Sequence, residues 1–188
     1  IGFFIVTAFF YFSLGFSAMG YGIQALASMM SSSNIKKALL VVGDTAGKTT
    51  NPNDRASLML IGESSVAILL EKTEDASPIV SLMRSDGNGY RYLIVPAGGY
   101  RNLDASHENE ICHDGIERNL HNSIMQGTSV FTFTITDIPR LLKDFWAVTN
   151  TTVDDYDCYA FHQANLYILQ QIAKKLKIPA EKMPLTLS

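Results

Sequence analysis

Tyr156-Asp157-Cys158-Tyr159-Ala160-Phe161-His162-Gln163-Ala164-Asn165 is the stretch whose reading decides the fold. Residues 156–161 read as a short buried strand. From Leu166 the period changes: Leu166, Leu169, Ile172, Ala173 and Leu176 fall on one helical face, with Lys174, Lys175 and Lys177 off it. His162 therefore sits where a strand gives way to a helix. An imidazole there can point into a cleft beside the first free N–H groups of the helix. It can give or take a proton, or donate a hydrogen bond to a developing oxyanion. A purely structural histidine fits the same spacing, so position alone leaves both readings open.

Working outward, strands and helices alternate, which argues α/β layers. A helix is expected over about 17–31, with Met19, Ile23, Leu26 and Met30 as its buried stripe, and a strand over 38–42. Residues 43–54 form a loop ending in Asn51-Pro52-Asn53-Asp54 turn chemistry. Segments 58–61, 65–71, 79–83 and 90–95 read as strands, 85–89 as a turn, and 96–114 as a long polar loop. Residues 116–126 look helical. Residues 128–136 are contested: Val130, Phe131, Phe133, Ile135 and four threonines favour a strand by propensity.

Length and composition narrow the function classes. The chain has 188 residues, 47% hydrophobic and 18% charged, which is globular and not disordered. A net charge of −3 argues against a nucleic-acid partner, which calls for a basic surplus. Two cysteines, Cys112 and Cys158, make no disulfide framework; Cys158 reads as a small core residue, and a reducing cytoplasm is the default location. Residues 1–35 hold no charged side chain. That raises a membrane-anchored reading, since a span needs about 20 apolar residues. Against it, no Lys or Arg flanks the start, and Ser13, Gly15, Ser17, Gly20 and Gly22 interrupt the run. A buried strand, a turn and a core helix are the expectation.

Two tempting motifs fail on spacing. Gly43-Asp44-Thr45-Ala46-Gly47-Lys48-Thr49 follows a strand, but three residues separate the glycines where a phosphate loop needs four, and no helix opens before Pro52. His107, Glu108, Glu110, Cys112, His113 and Asp114 are dense in metal-ligand types, yet no pair has the spacing of a helical zinc site. No metal is expected.

With these segments in order, the chain resembles the β-ketoacyl-acyl-carrier-protein synthase III family of thiolase-fold condensing enzymes. His162-Gln163-Ala164-Asn165, a helix, and Lys177-Ile178-Pro179 before an apolar strand resemble its C-terminal half. Upstream, the strand ending at Gly43-Asp44, the turn Asn51-Pro52-Asn53-Asp54-Arg55, and Leu60-Ile61-Gly62-Glu63 running into Ala67 have counterparts. So do Pro96-Ala97-Gly98-Gly99 and Met125-Gln126-Gly127 running into Phe131. Leu14-Gly15-Phe16-Ser17-Ala18-Met19-Gly20-Tyr21-Gly22 resembles the nucleophile elbow, usually Gly-Cys-Ser-Gly-x-x-Tyr-Gly. The likeness runs from about Ala8 to Ser188.

The resemblance implies a thiolase-like layered α/β/α sandwich, of which this chain is a part. Residues 1–95 would be the remainder of the N-terminal half and 96–188 the C-terminal half. It makes 128–136 the opening of a long helix through Pro139 to Trp146. It implies condensation in fatty acid or polyketide-type synthesis: a Cys takes an acyl group from acyl-CoA, and malonyl-acyl-carrier-protein loses carbon dioxide to give the attacking enolate. CoA and the carrier's phosphopantetheine arm are substrates, and no metal or organic cofactor is implied. His162 would be the oxyanion donor for decarboxylation, with Asn165 and Gln163 supporting it. A homodimer is implied, its interface accounting for part of the uncharged 1–35 stretch.

The departures carry equal weight. The nucleophile position falls on Phe16, and a phenyl ring cannot attack a thioester. The elbow glycine falls on Ala18, and two upstream polar positions fall on Tyr11 and Ser13. Phe16, Tyr11 and Ser13 are each one base away from the family's Cys, Asp and Asn, so an error in the sequence stays open beside a genuine loss. An Arg common after His-Gln-Ala-Asn-Leu is Tyr167. The family's catalytic Asn would lie beyond Ser188, and a further family segment would fall between Thr7 and Ala8. Phe16 makes a non-catalytic thiolase-fold subunit the alternative to an active enzyme, beside the membrane-anchored reading.

Overall fold

The computed structural model describes residues 17–186 apart from Arg101 and His113. Phe16, Tyr11, Ser13 and the segment 1–7 lie outside the described residues. The chain forms two compact units that interleave in sequence. One comprises Ile1–Thr45 and Glu63–Ser81, the other Ala46–Gly62 and Leu82–Ser188.

In the first unit, helix α1 (Ala18–Ser31) covers one face of an antiparallel pair, β1 (Lys37–Asp44) and β2 (Ser64–Glu71). The ladder runs from Lys37 opposite Glu71 to Asp44 opposite Ser64. Period-2 geometry puts Leu40 on the helix side, where it is buried, and Leu39, Val41 and Leu69 on the other side, each more than 60% exposed. Close helix–strand approach has a sequence cause: a Cβ built on Gly22 would stand 2.7 Å from Leu40 Cδ1. The expected helical stripe is buried only at its end. Met30 is buried, Ile23 and Leu26 are half-buried, and Met19 is exposed. No helix among the described residues is long and apolar enough to cross a membrane.

In the second unit the strand expected over 58–61 does not form: a short helix, α2 (Arg55–Leu58), ends there and a turn at Met59 and Leu60 follows it. Asp54 explains it: its carboxylate caps Ser57 N at 3.2 Å, and its carbonyl takes Leu58 N at 2.8 Å. Two two-residue strand pairings, β3 (Leu93–Ile94) with β6 (Ile124–Met125) and β4 (Glu110–Ile111) with β5 (Glu117–Arg118), complete the described sheets. The strand expected over 90–95 is cut to β3, because Tyr90 and Tyr92 donate to Gly87 and Gly89 in a tight turn. The helix expected over 116–126 does not form. Asn119 and Asn122 side chains accept from His121 N and Asn119 N, diverting donors that a helix needs. Segment 79–83 finds no ladder partner among the described residues.

Helix α3 (Gly127–Thr149) resolves the contested region in favour of the helix. Its threonines bond back to the preceding turn: Thr132 Oγ1 to Thr128 O at 2.9 Å, Thr136 Oγ1 to Thr132 O at 2.8 Å. Packing overrides their strand propensity. Pro139 interrupts the ladder and leaves the carbonyl of Ile135 without its helical donor. The Lys175 ammonium, from helix α4 (Leu166–Leu176), takes that carbonyl at 2.8 Å. Helices α3 and α4 pack together around Tyr159, Leu169, Ile172, Leu176, Ile178 and Met183.

A buried Asp54–Arg118 pair, extended by the more exposed Asp114, ties the second unit's loops together. Arg118 donates through Nε and Nη2 to Asp54 Oδ2 and through Nη1 to both oxygens of Asp114, at 2.8 and 2.9 Å. Burial pushes the Asp54 carboxyl up, but the bonds from Arg118 and Ser57 outweigh it and hold it below its ordinary value. For Arg118, the two carboxylates overcome burial and raise its pKa.

Candidate active site around His162

The approach to His162 is built by side chains, not by a ladder. Residues 156–161, expected to be a strand, have no strand partner among the described residues. The backbone bond from Tyr159 N to Lys182 O at 2.7 Å anchors them. Tyr159 turns inward and is buried, its hydroxyl donating to Val153 O at 2.9 Å. Burial raises the pKa of its phenol above the ordinary value. With Tyr159 facing inward, Cys158 is exposed, which corrects its reading as a core residue. Tyr156 and Phe161 pack against the same core. The turn before this segment is closed by Thr152 and Asp155, whose carboxylate accepts from Thr152 N at 2.7 Å.

On the far side of His162, Asn165 is the cap of α4. Its Oδ1 accepts from Tyr167 N at 2.8 Å and from Ile168 N at 3.3 Å. Gln163 folds back: Nε2 donates to Phe161 O at 3.1 Å and to Pro184 O at 3.3 Å, while Oε1 accepts from Thr186 N at 3.2 Å. His162 itself is exposed. Both supporting residues assigned from the sequence thus flank His162 and bond to its neighbours. Sequence reasoning missed their partners. Pro184 and Thr186 lie more than twenty positions away and carry no local signal.

Gln163 and Asn165 thus fix the backbone on either side of an exposed imidazole, a group that can donate a hydrogen bond to a developing oxyanion. Tyr167, at the Arg position, stacks on Phe131 of α3, ring centroids 5.8 Å apart and planes 15° apart. The nucleophile position, Phe16, lies outside the described residues. Among the described residues no group of three His, Cys, Asp or Glu side chains could hold a metal ion. His107 instead stacks on His121 at 4.0 Å.

Comparison with known proteins identifies the fold and the family. The fold is α/β and thiolase-like. Over 92% of this chain and 52% of the other, it matches a crystal structure of a 3-oxoacyl-(acyl-carrier-protein) synthase III with a TM-score of 0.83 and 28% identity. A second match is the 3-oxoacyl-(acyl-carrier protein) synthase of Burkholderia xenovorans LB400. There the TM-score is 0.70 and identity 31%, over 92% of this chain and 47% of that one.

The family model for 3-oxoacyl-[acyl-carrier-protein] synthase III matches residues 12–87, and the model for its C-terminal part matches 147–188. The β-ketoacyl-[acyl-carrier-protein] synthase III of Caldanaerobacter subterraneus subsp. tengcongensis is 32% identical over 176 residues. That of Koribacter versatilis is 30% identical over 174. The chain belongs to the 3-oxoacyl-[acyl-carrier-protein] synthase III family. It spans about half the length of these curated relatives, 51% and 50%.

Proposed function

We propose that the protein serves the decarboxylative half of a synthase III condensation in fatty acid or related biosynthesis, with His162 as oxyanion donor and a malonyl-acyl-carrier-protein as substrate. Family membership supports the reaction class. The observation that carries the site is that Gln163 and Asn165 brace both sides of His162 while leaving it exposed. As the malonyl carboxylate leaves as carbon dioxide, its bonding pair moves into the thioester carbonyl, and the oxygen becomes an enolate. His162 donates to that oxygen. Attack of the enolate on an enzyme-bound acyl thioester needs a thiolate, which Phe16 cannot supply. Where Phe16 is genuine, the enolate instead takes a proton and leaves as the acetyl thioester.

In the family reaction acyl-CoA primes the nucleophile, no metal or organic cofactor takes part, and two subunits associate in the cytoplasm. We adopt this setting for the protein. The test compares carbon dioxide release from malonyl-acyl-carrier-protein by the full-length gene product and by its His162→Ala variant. A preorganised donor is worth about 3 kcal/mol, so a drop of about a hundredfold is expected. Equal measurable rates would make His162 structural.

A second reading rests on Phe16 alone: a non-catalytic subunit that pairs with a Cys-bearing homologue. It predicts no carbon dioxide release from either protein. Phe16→Cys in the full-length gene product separates the two readings. An acyl adduct after incubation with acyl-CoA, seen by intact mass, supports a competent site that has lost its nucleophile.

A further inference from the structure

We propose that the stacked pair His107–His121 is an acid-released catch on the loop between β3 and β4, closed at neutral pH and opened when both rings take a proton. Three side-chain ties hold residues 105–109 of this loop to the turn 119–122. The two rings stack with centroids 4.0 Å apart and planes 7° apart. His121 Nε2 donates to Ala105 O at 3.2 Å. Asn119 Nδ2 donates to Asn109 Oδ1 at 3.0 Å. The turn is anchored from behind, with Ser123 N donating to Thr49 O at 2.7 Å and Ala97 N to Leu120 O at 2.9 Å. Residues 106–110 are all exposed, so packing adds little on the loop side. Two of the three ties need the His121 ring.

Histidine is the side chain suited to change charge between about pH 5 and pH 8. A carbonyl only accepts, so His121 Nε2 carries its proton and Nδ1 is the nitrogen left to take another. One charged ring can lie on a neutral one, but a proton on each places like charges 4.0 Å apart. In water that repulsion shifts an equilibrium about fivefold, and more where solvent is partly excluded. Separated rings escape it. The open loop therefore binds more protons than the closed one and gains as pH falls.

The neighbouring charges do not cancel this. The loop side carries Asp104, Glu108 and Glu110, and the turn side Glu117 and Arg118. The 46–55 segment, which meets the turn through Asn51 and Thr49, carries Lys48, Asp54 and Arg55. Arg118 is engaged with Asp54 and Asp114. Among the described residues no carboxylate forms an ion pair with either ring.

The test is cleavage of the full-length gene product after Glu108 by a glutamyl endopeptidase, read by fragment mass at about pH 8 and about pH 5. Each rate is divided by that of a free peptide of residues 102–111 at the same pH, which removes the pH dependence of the protease. The normalised rate follows the population of the open loop. In the parent it should rise at least about fivefold from the higher pH to the lower. His107→Phe keeps a ring to stack and takes no proton, and a charged His121 is welcome on its face, so its rate should show no rise. His121→Phe should show none either. Asp54 stays charged at about pH 5, its carboxyl being held below the ordinary value, so cleavage after Glu181, normalised likewise, should not change. A smaller rise in the parent, an equal rise in either Phe variant, or a parallel rise after Glu181 would overturn the inference.

Discussion

Lys175 should matter to stability only because Pro139 is where it is. A helix interior bonds each carbonyl to the N–H four residues on, and proline has none. In α3 the orphan is Ile135 O, and the Lys175 ammonium of α4 occupies it at 2.8 Å. A hydrogen bond to a charged group contributes about 1.5–3 kcal/mol, and solvent competition at this exposed bond brings the expectation to about 1 kcal/mol. Lys175→Met should therefore lower stability by about 1 kcal/mol with Pro139 present. With Pro139→Ala, residue 139 regains its N–H and returns it to Ile135 O. Lys175→Met should then cost no more than about 0.3 kcal/mol, a difference measurable as a coupling energy.

The assay is urea unfolding of the parent, the two single variants and the double variant, with the slopes compared before the midpoints. Pro139→Ala alone gains helix propensity and loses the packing of a buried ring, so its own sign is not the test. The coupling is. Equal costs for Lys175→Met in both backgrounds would refute the reasoning. The ammonium would then be a surface charge contributing through general electrostatics.

The Asp54–Arg118 pair should give the protein an acid-sensitive limb. Asp54 titrates below its ordinary value when folded, so its contribution is full above about pH 4, the unfolded carboxylate value, and is lost as pH falls further. Asp54→Asn should lower the urea midpoint at pH 7, and the gap to the parent should narrow as pH falls below about 4; a difference constant with pH would be contrary. Arg118→Met, which strands Asp54 in a buried site, should cost about 3–5 kcal/mol at pH 7, read by the same unfolding assay. Asn165→Ala should cost about 1 kcal/mol by loss of the α4 cap, while Asn165→Asp should retain most of it. Sedimentation of the full-length gene product at micromolar concentration should give two subunits, and a clean monomer would count against that assembly.

Local chemistry by itself determined much of this protein. The apolar period after Asn165 and the short polar side chain at its head are sufficient for α4 and its cap, because a helix of that kind needs only neighbours three and four residues apart. The continuous apolar run Ala38 to Val42, rich in β-branched residues at its end, is sufficient for β1, and the order of motifs identified the family and directed attention to His162, Gln163 and Asn165. Tertiary structure decided what depends on distant partners. Residues 156–161 have strand composition but no neighbouring strand among the described residues, so Tyr159 packs inward and Cys158 faces out. Residues 116–126 have helical-looking spacing, but asparagine side chains and the pairing with Leu93 and Ile94 hold them as turns and short strands. Residues 128–136 carry strand propensity, but packing of α3 on α4 makes them helix. The bonds of Gln163 to Pro184 and Thr186, the partner of Arg118 at position 54 and the Lys175 donor to the carbonyl freed by Pro139 all join residues far apart in sequence. A hydrogen bond needs two groups within about 3 Å, and only the folded chain supplies that proximity.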